Sequence, residues 1–441
     1  MSDKSFIQKV LSISIPVALQ SMLQSSFSMV DQIMVGQLGE KSVAAVEIAG
    51  RPGFIYSFII GAISTITGIM ISQYIGNRNR DAEEKSVCVN FVAMSATALL
   101  FLFTFTICRN QFAGTFTTDK QVVEEGGKYL GIICWTFIPL GICNILGTAL
   151  RCSDKPTWPL YIGILSAQLN TVLNYCLIFG NFGAPRLGVA GAAYASVISQ
   201  VVAALISVLC FFRAYGRIHF SIKLGKAGYS QYFMMLLPIV ANEFLWSVGQ
   251  SVNTYVYGHL GTNELVGMSL TGAVQGLTMG ALGGLSQAAG ILIGKRLGSN
   301  EYDEAYRESV KLCALGLTGS ILFSLLLVLT REPYVQLFNV VDDVREIGAD
   351  ILVAFAILMP VKVQNMILGG GIIRSGGKTK YVMLIDMMGT WLIGVPLALL
   401  TGLYFRLPVV WVYFILSQEE VARLIISILM FRSRKWMHTL Q

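Results

Sequence analysis

The sequence predicts an all-α polytopic membrane protein, with twelve transmembrane helices arranged as two parallel-repeat six-helix bundles. Three observations predict it. Of 441 residues, 54% are hydrophobic and only 13% are charged, well below the roughly 25% charged content of soluble domains. A bilayer core about 30 Å thick takes about 20 apolar residues per helix, and runs of that length recur twelve times. The chain also repeats itself at a spacing of 222 residues.

The runs fall at approximately 8–36, 44–75, 87–108, 129–150, 157–180, 188–212, 231–258, 265–294, 309–330, 347–373, 381–404 and 409–431. Short polar segments separate them and leave no soluble domain. The opening "MSDKSFIQKV" enters the first run without the n-region, short h-region and small-residue cleavage site of a signal peptide, so the start is expected to stay in the cytoplasm. With that start, 21 of the 32 Lys and Arg residues fall on inner segments and 8 on outer ones. The excess fixes the same orientation independently. It predicts a multi-pass protein of the cell inner (plasma) membrane with both termini cytoplasmic. It also accounts for the net charge of +7, so no nucleic-acid partner is expected. The expected partners are small-molecule substrates and the lipid bilayer, with a monomer as the working state. The eight cysteines form no C-x-x-C pair and read as small buried hydrophobes. His219, His259 and His438 sit in loops or the tail, so neither a metal site nor a cofactor is expected.

Sliding the chain by 222 residues lays Pro16 on Pro238, Gly36 on Gly258, Leu38 on Leu260, Gly39 on Gly261, Gly61 on Gly283, Ser64 on Ser286, Gly68 on Gly290 and Gly76 on Gly298. At an offset of 223, Arg151 lies opposite Arg374. The expected division is an N-terminal bundle over 1–212, a basic cytoplasmic linker over 213–230 and a C-terminal bundle over 231–441. Six helices per half set both halves in the membrane the same way up. Parallel repeats of this kind are one of the two symmetry types of secondary transporters, which argues for alternating access.

An ionisable residue within a span costs several kcal/mol unless paired or wetted, so each is a functional candidate. Asp31 lies five residues before Gly36, about 8 Å inside the outer end of the first helix. It has no basic residue one turn away, so proton uptake there is expected. Glu243 lies near the midplane of the seventh helix, and Asn242, Trp246, Gln250 and Asn253 are expected to extend a polar strip with one aromatic along its face. Lys362 sits about 18 Å deep without an acid within one turn, and the expected partner is Glu243. Asp386 either is structural or lines the inner cavity. Glu47 with Arg51 and Glu419 with Arg423 are four apart and read as structural ion pairs. The ladder Gly272, Gly276, Gly280 and Gly284 reads as close helix packing.

Five stretches carry a resemblance over essentially the whole chain: "MVDQIMVGQLG", "NTVLNYCLIFG" with "LGVAGAAYASVISQ", "LPIVANEFLWSVG", "RSGGKTK" and "EEVARL" with "FRSRKW". The sequence resembles the multidrug and toxic compound extrusion (MATE) family. The resemblance implies an efflux antiporter with two bundles forming a V, which expels organic cations against Na⁺ or H⁺. It implies that Asp31 is the helix-1 aspartate of cation coupling, that Glu243 is the helix-7 glutamate, and that Pro16, with Pro238 as its repeat partner, marks a helix bend. Two departures bear on the ion. The NorM branch has an aspartate that helps bind Na⁺ near the position of Lys362 in "PVKVQN". The archaeal-type DinF branch has N-x-x-x-D, with a second proton-linked aspartate, where this chain has Asn170 and Asn174, which remain candidate hydrogen-bond partners for Asp31. The expectation is therefore H⁺ coupling, with Na⁺ as the alternative. A lipid-linked oligosaccharide flippase of the same superfamily is the sibling reading, and its pyrophosphate would call for clustered deep basic residues. An intramembrane prenyl- or acyltransferase is the reading from another class, but N-D-x-x-D and H-x-x-x-D motifs are absent, so an enzyme is not expected.

Overall fold

A computed structural model describes residues 3–223 and 225–440; Leu224, within the expected linker, lies outside the described residues. All regular elements among them are helical. In chain order, the first six long helices are α1 (Asp3–Gly36), α2 (Glu40–Gly76), α3 (Arg80–Ile107), α4 (Lys120–Cys152), α5 (Thr157–Phe179) and α6 (Val189–Tyr215). The next five are α7 (Gly225–Leu260), α8 (Thr262–Gly298), α9 (Tyr302–Val335), α10 (Asp342–Ile373) and α11 (Thr379–Tyr404). These eleven are long and apolar enough to cross a membrane. They also leave large apolar side chains outward, such as Leu100, Phe103 and Ile107 on α3 and Leu322, Leu326 and Leu329 on α9. Exposure on that scale would drive association in water, whereas lipid solvates it.

The twelfth run differs from the expected single helix. It forms α12 in two pieces, Val409–Leu416 and Glu419–Arg432. At the break Gln418 N–H donates to Ile415 O at 3.1 Å, one residue short of the α-helical register. The Phe414 carbonyl left over accepts from the Gln418 side chain instead, at 3.0 Å. A side-chain amide thus replaces a backbone donor, as an apolar interior requires of every carbonyl.

The described residues form two compact units. One holds Leu19–Ile71 and Asn79–Gly225; the other holds the segment up to Ala18, Ser72–Arg78 and the chain from Lys226 onward. The repeat is visible in the turns of the backbone. Gly39 has a φ of +106° and its repeat partner Gly261 is also positive, while Arg78 and Asn300, another 222-residue pair, both stand in the left-handed region at +54° and +60°. Left-handed backbone is where glycine costs little and other residues strain, so a shared turn geometry retains glycines at shared positions.

Within the unit that holds the second half, the end of α2 crosses the end of α8 backbone to backbone. A Cβ on Gly76 would overlap the carbonyl of Lys295, and one on Gly298 would overlap the carbonyl of Gln73. Gln73 and Lys295 are themselves a repeat pair, so the crossing is two-fold in its own residues. The side chain of Gln73 is used as well: Nε2 donates to Ser375 O at 2.7 Å and His438 O at 3.1 Å, and Oε1 accepts from Leu440 N–H at 2.7 Å. The expected glycine ladder is only partly a packing device. A Cβ on Gly284 would overlap Ser14 O on α1, but at Gly272 and Gly276 there is open space.

The crossing and the ladder separate in a stability measurement. Gly298→Ala is expected to destabilise the protein by about 1–3 kcal/mol, because a backbone carbonyl cannot yield as a side chain does. Gly272→Ala is expected to be neutral or to stabilise by about 0.5–1 kcal/mol through helix propensity. Unfolding midpoints in detergent check both.

Candidate functional site

In the first unit α1, α4, α5 and α6 enclose a cavity of about 320 Å³. Asp31 of α1 stands at one end. Asn174 Nδ2 donates to Asp31 Oδ1 at 2.5 Å. With its amide turned so that both ends are satisfied, Asn170 Nδ2 donates to the same carboxylate at 2.8 and 3.2 Å, and its Oδ1 accepts from Ser196 Oγ at 3.3 Å. Asn170 and Asn174 converge because residues four apart share one face of α5. One turn beyond Asp31, Val35 packs with Ile178 and Ala192, and Tyr129 and Phe179 close over them. The carboxylate therefore lies under an apolar cap, and neither a lysine nor an arginine among the described residues pairs with it. The expected amide contacts of Asp31 are thus present.

The far end of the same cavity holds Arg151, which the sequence places only at a cytoplasmic helix end. It is the penultimate residue of α4, and a helical side chain leans back toward the helix N-terminus, which carries the guanidinium into the cavity wall. Its Nη2 donates to Thr148 Oγ1 at 2.8 Å and its Nη1 to Gln20 Oε1 at 3.5 Å.

The second unit places its charges differently. Asp386 of α11 accepts from Arg423 Nε at 3.1 Å, from Arg423 Nη2, and from Asn242 Nδ2 at 2.8 Å. Glu420 lies 3.7 Å from Lys362 Nζ and 3.4 Å from Arg423 Nη1, and accepts from Asn365 Nδ2 at 2.8 Å. Lys362 also stands 5.9 Å from the ring centre of Tyr413. Residues 366–373 and 388–394, just after Asn365 and Asp386, wind with one extra residue per turn. Such widened turns re-aim the side chains beside them. The break in α12 starts its second piece at Glu419, so that Glu420 and Arg423 both face α10 and α11.

Three sequence expectations are corrected here. Lys362 pairs with Glu420, not Glu243. The i,i+4 distance that predicts a Glu419–Arg423 pair is not used, because Arg423 reaches Asp386 and Glu420; the Glu47–Arg51 pair forms as expected, at 2.9 Å. The polar strip of α7 divides into two faces. Asn242 and Asn253, eleven residues apart, are buried, whereas Trp246 and Gln250 are exposed on the face that Glu243 shares. Eleven residues bring a helix back to nearly the same direction, and three or seven from Glu243 define another. Glu243 makes no hydrogen bond or ion pair among the described residues, and Arg374 is the cation that acts on it electrostatically. Glu420 and Asn365 went unread in the sequence. The one available signal is a second acid beside Glu419 in a largely apolar run. Pro16 and Pro238 lie inside continuous helices, α1 and α7.

Comparison with known proteins gives concordant matches. Residues 16–176 and 238–400 each match the MatE family model, beginning at the two prolines of the repeat. An uncharacterized transporter of Bacillus subtilis, YisQ, is 26% identical, over 99% of this chain and 96% of its own. A probable multidrug resistance protein NorM of Thermotoga maritima is 23% identical, over 97% and 93%. The crystal structure of a point mutant of the Vibrio cholerae MATE transporter VcmN shares the fold with a TM-score of 0.88 at 17% identity, over 98% of this chain and 99% of that one.

The second-unit network carries its own test. Arg423 serves two buried acids, and Lys362 serves one. Removing one partner of a buried pair leaves an uncompensated charge, so Arg423→Met is expected to destabilise the protein by about 3–5 kcal/mol. Lys362→Met is expected to cost less. Urea unfolding in mild detergent ranks the two.

Proposed function

This chain belongs to the MatE family of multi-pass membrane transporters, not to an enzyme family, and on that premise we propose that it is a secondary active multidrug efflux antiporter. It exports organic cations in exchange for protons by alternating access, with both termini on the cytoplasmic side. Relatives named as multidrug resistance proteins support a drug cargo. One observation carries the proton: Asp31 lies in a cavity and, among the described residues, is bonded only by neutral amides.

An arginine beside Asp31 would hold the carboxylate ionised and fill the place of a cationic ligand. An amide does neither. It offers N–H donors to the ionised carboxylate and a carbonyl to the protonated acid, so Asn170 and Asn174 can bond either state. The ionised state attracts an organic cation, and protonation removes that attraction. One carboxylate then serves two ligands in turn, which is the differential interaction that exchange requires. Ser196, which bonds Asn170, and Tyr129 bring no charge of their own while the phenol is neutral.

The choice of H⁺ over Na⁺ draws support from the second unit. Two of its acids, Asp386 and Glu420, already hold Arg423 and Lys362. A sodium ion there would have to displace a resident cation or lie beside it.

Proteoliposomes loaded with ethidium, under a pH gradient and a Na⁺ gradient imposed separately, test the reading. Efflux is expected with the pH gradient alone, and Asp31→Asn is expected to lower it by about tenfold or more, within the range typical of acid–base groups. Efflux that persists undiminished under a Na⁺ gradient without a pH gradient would sink the proton assignment. The sign with pH follows: apparent affinity for ethidium falls as pH falls in the wild type, and Asp31→Asn flattens that dependence.

A further inference from the structure

We propose that the Arg151 end of the first-unit cavity is an anion-binding subsite, which takes the carboxylate or similar acid group of an elongated substrate whose cationic group lies at Asp31. The proposal rests on the transport reading above and names the residue that would hold the acid group of a zwitterionic cargo.

The repeat supplies the main argument. Arg374 is the second-half partner of Arg151, and it has an acid, Glu243, acting on it. The first-half residue at the position of Glu243 is Ser21. The first half has the arginine, half-buried, without the acid. Its neighbours Thr148 and Gln20 are neutral, so their hydrogen bonds orient the guanidinium without cancelling its charge. An uncompensated cation in an apolar protein is costly, and a ligand anion in the cavity offsets that cost when it binds.

The geometry sets the length of the ligand. Gln20, which touches Arg151, and Asp31 are eleven residues apart on α1, about 16 Å along the helix. Gln20, Gln24, Phe27, Ser28 and Asp31 all line the cavity, as expected of one helical face. The two charged ends are thus joined by a single wall that mixes amide, hydroxyl and aromatic surface, and the enclosed volume is of drug size.

The test uses equilibrium binding to the purified full chain in nanodiscs, followed by fluorescence anisotropy. The probes are a rhodamine zwitterion with a free carboxylate and its methyl ester, identical except for the anion. The wild type is expected to prefer the acid over the ester. Arg151→Gln is expected to lower that preference about tenfold, and Arg151→Lys is expected to retain most of it. Gln20→Glu, which puts a carboxylate on Arg151 from within, is expected to abolish the preference; it keeps the test open should Arg151→Gln not fold. The inference is overturned if the wild type shows no preference, if neither dye binds, or if Arg151→Gln weakens both dyes equally. Ethidium carries no acid group, so its efflux tests the antiport reading alone. Ethidium efflux without an acid preference would defeat this inference and leave that reading standing.

Discussion

An ionised group inside an apolar protein has to be paired or hydrogen-bonded there, and this constraint organises both units. The second unit meets it with a closed ionic network. Arg423 lies between Asp386 and Glu420, Lys362 completes Glu420, and Asn242 and Asn365 take up remaining carboxylate lone pairs. The local irregularities of that unit serve this network. The break at Gln418 and the widened turns after Asn365 and Asp386 flank the residues that take part in it. The first unit meets the constraint with neutral amides at Asp31, a weaker solution that leaves the charge free to change.

The contrast divides the labour. A network in which every acid has a resident cation holds helices together. A carboxylate bonded by amides tolerates both of its protonation states and admits a mobile cation. The two halves share a scaffold, but the proposed ion exchange uses a carboxylate of one of them only.

Much of this was legible in the sequence, for identifiable reasons. The repeat was readable because it rests on glycines in turns of fixed handedness, such as Gly39 and Gly261, whose backbone tolerates few substitutes. That Asn170 and Asn174 act together was readable because i,i+4 residues share a face, and their pairing with Asp31 was readable only through the family resemblance. The partner of Lys362 was not, because charges on different helices carry no spacing that says which pair will meet. Glu243 and Glu420 are both remote from Lys362 along the chain, and only packing chooses between them. The cavity position of Arg151 was hidden for a related reason. Its Cα belongs to a helix end, and the reach of its side chain decides where the charge goes.

The repeat is carried by turns and glycine crossings rather than by charges, and this bears on how such a chain can evolve. After a duplication, the mechanical frame is held by positions like Gly76 and Gly298, where backbone meets backbone. Positions such as Asp31 and Asn253, or Ser21 and Glu243, lie outside that frame and have drifted apart. Each copy can then change its ligand chemistry by single substitutions while the other keeps its own, so new cargo preferences can be reached stepwise through folded intermediates.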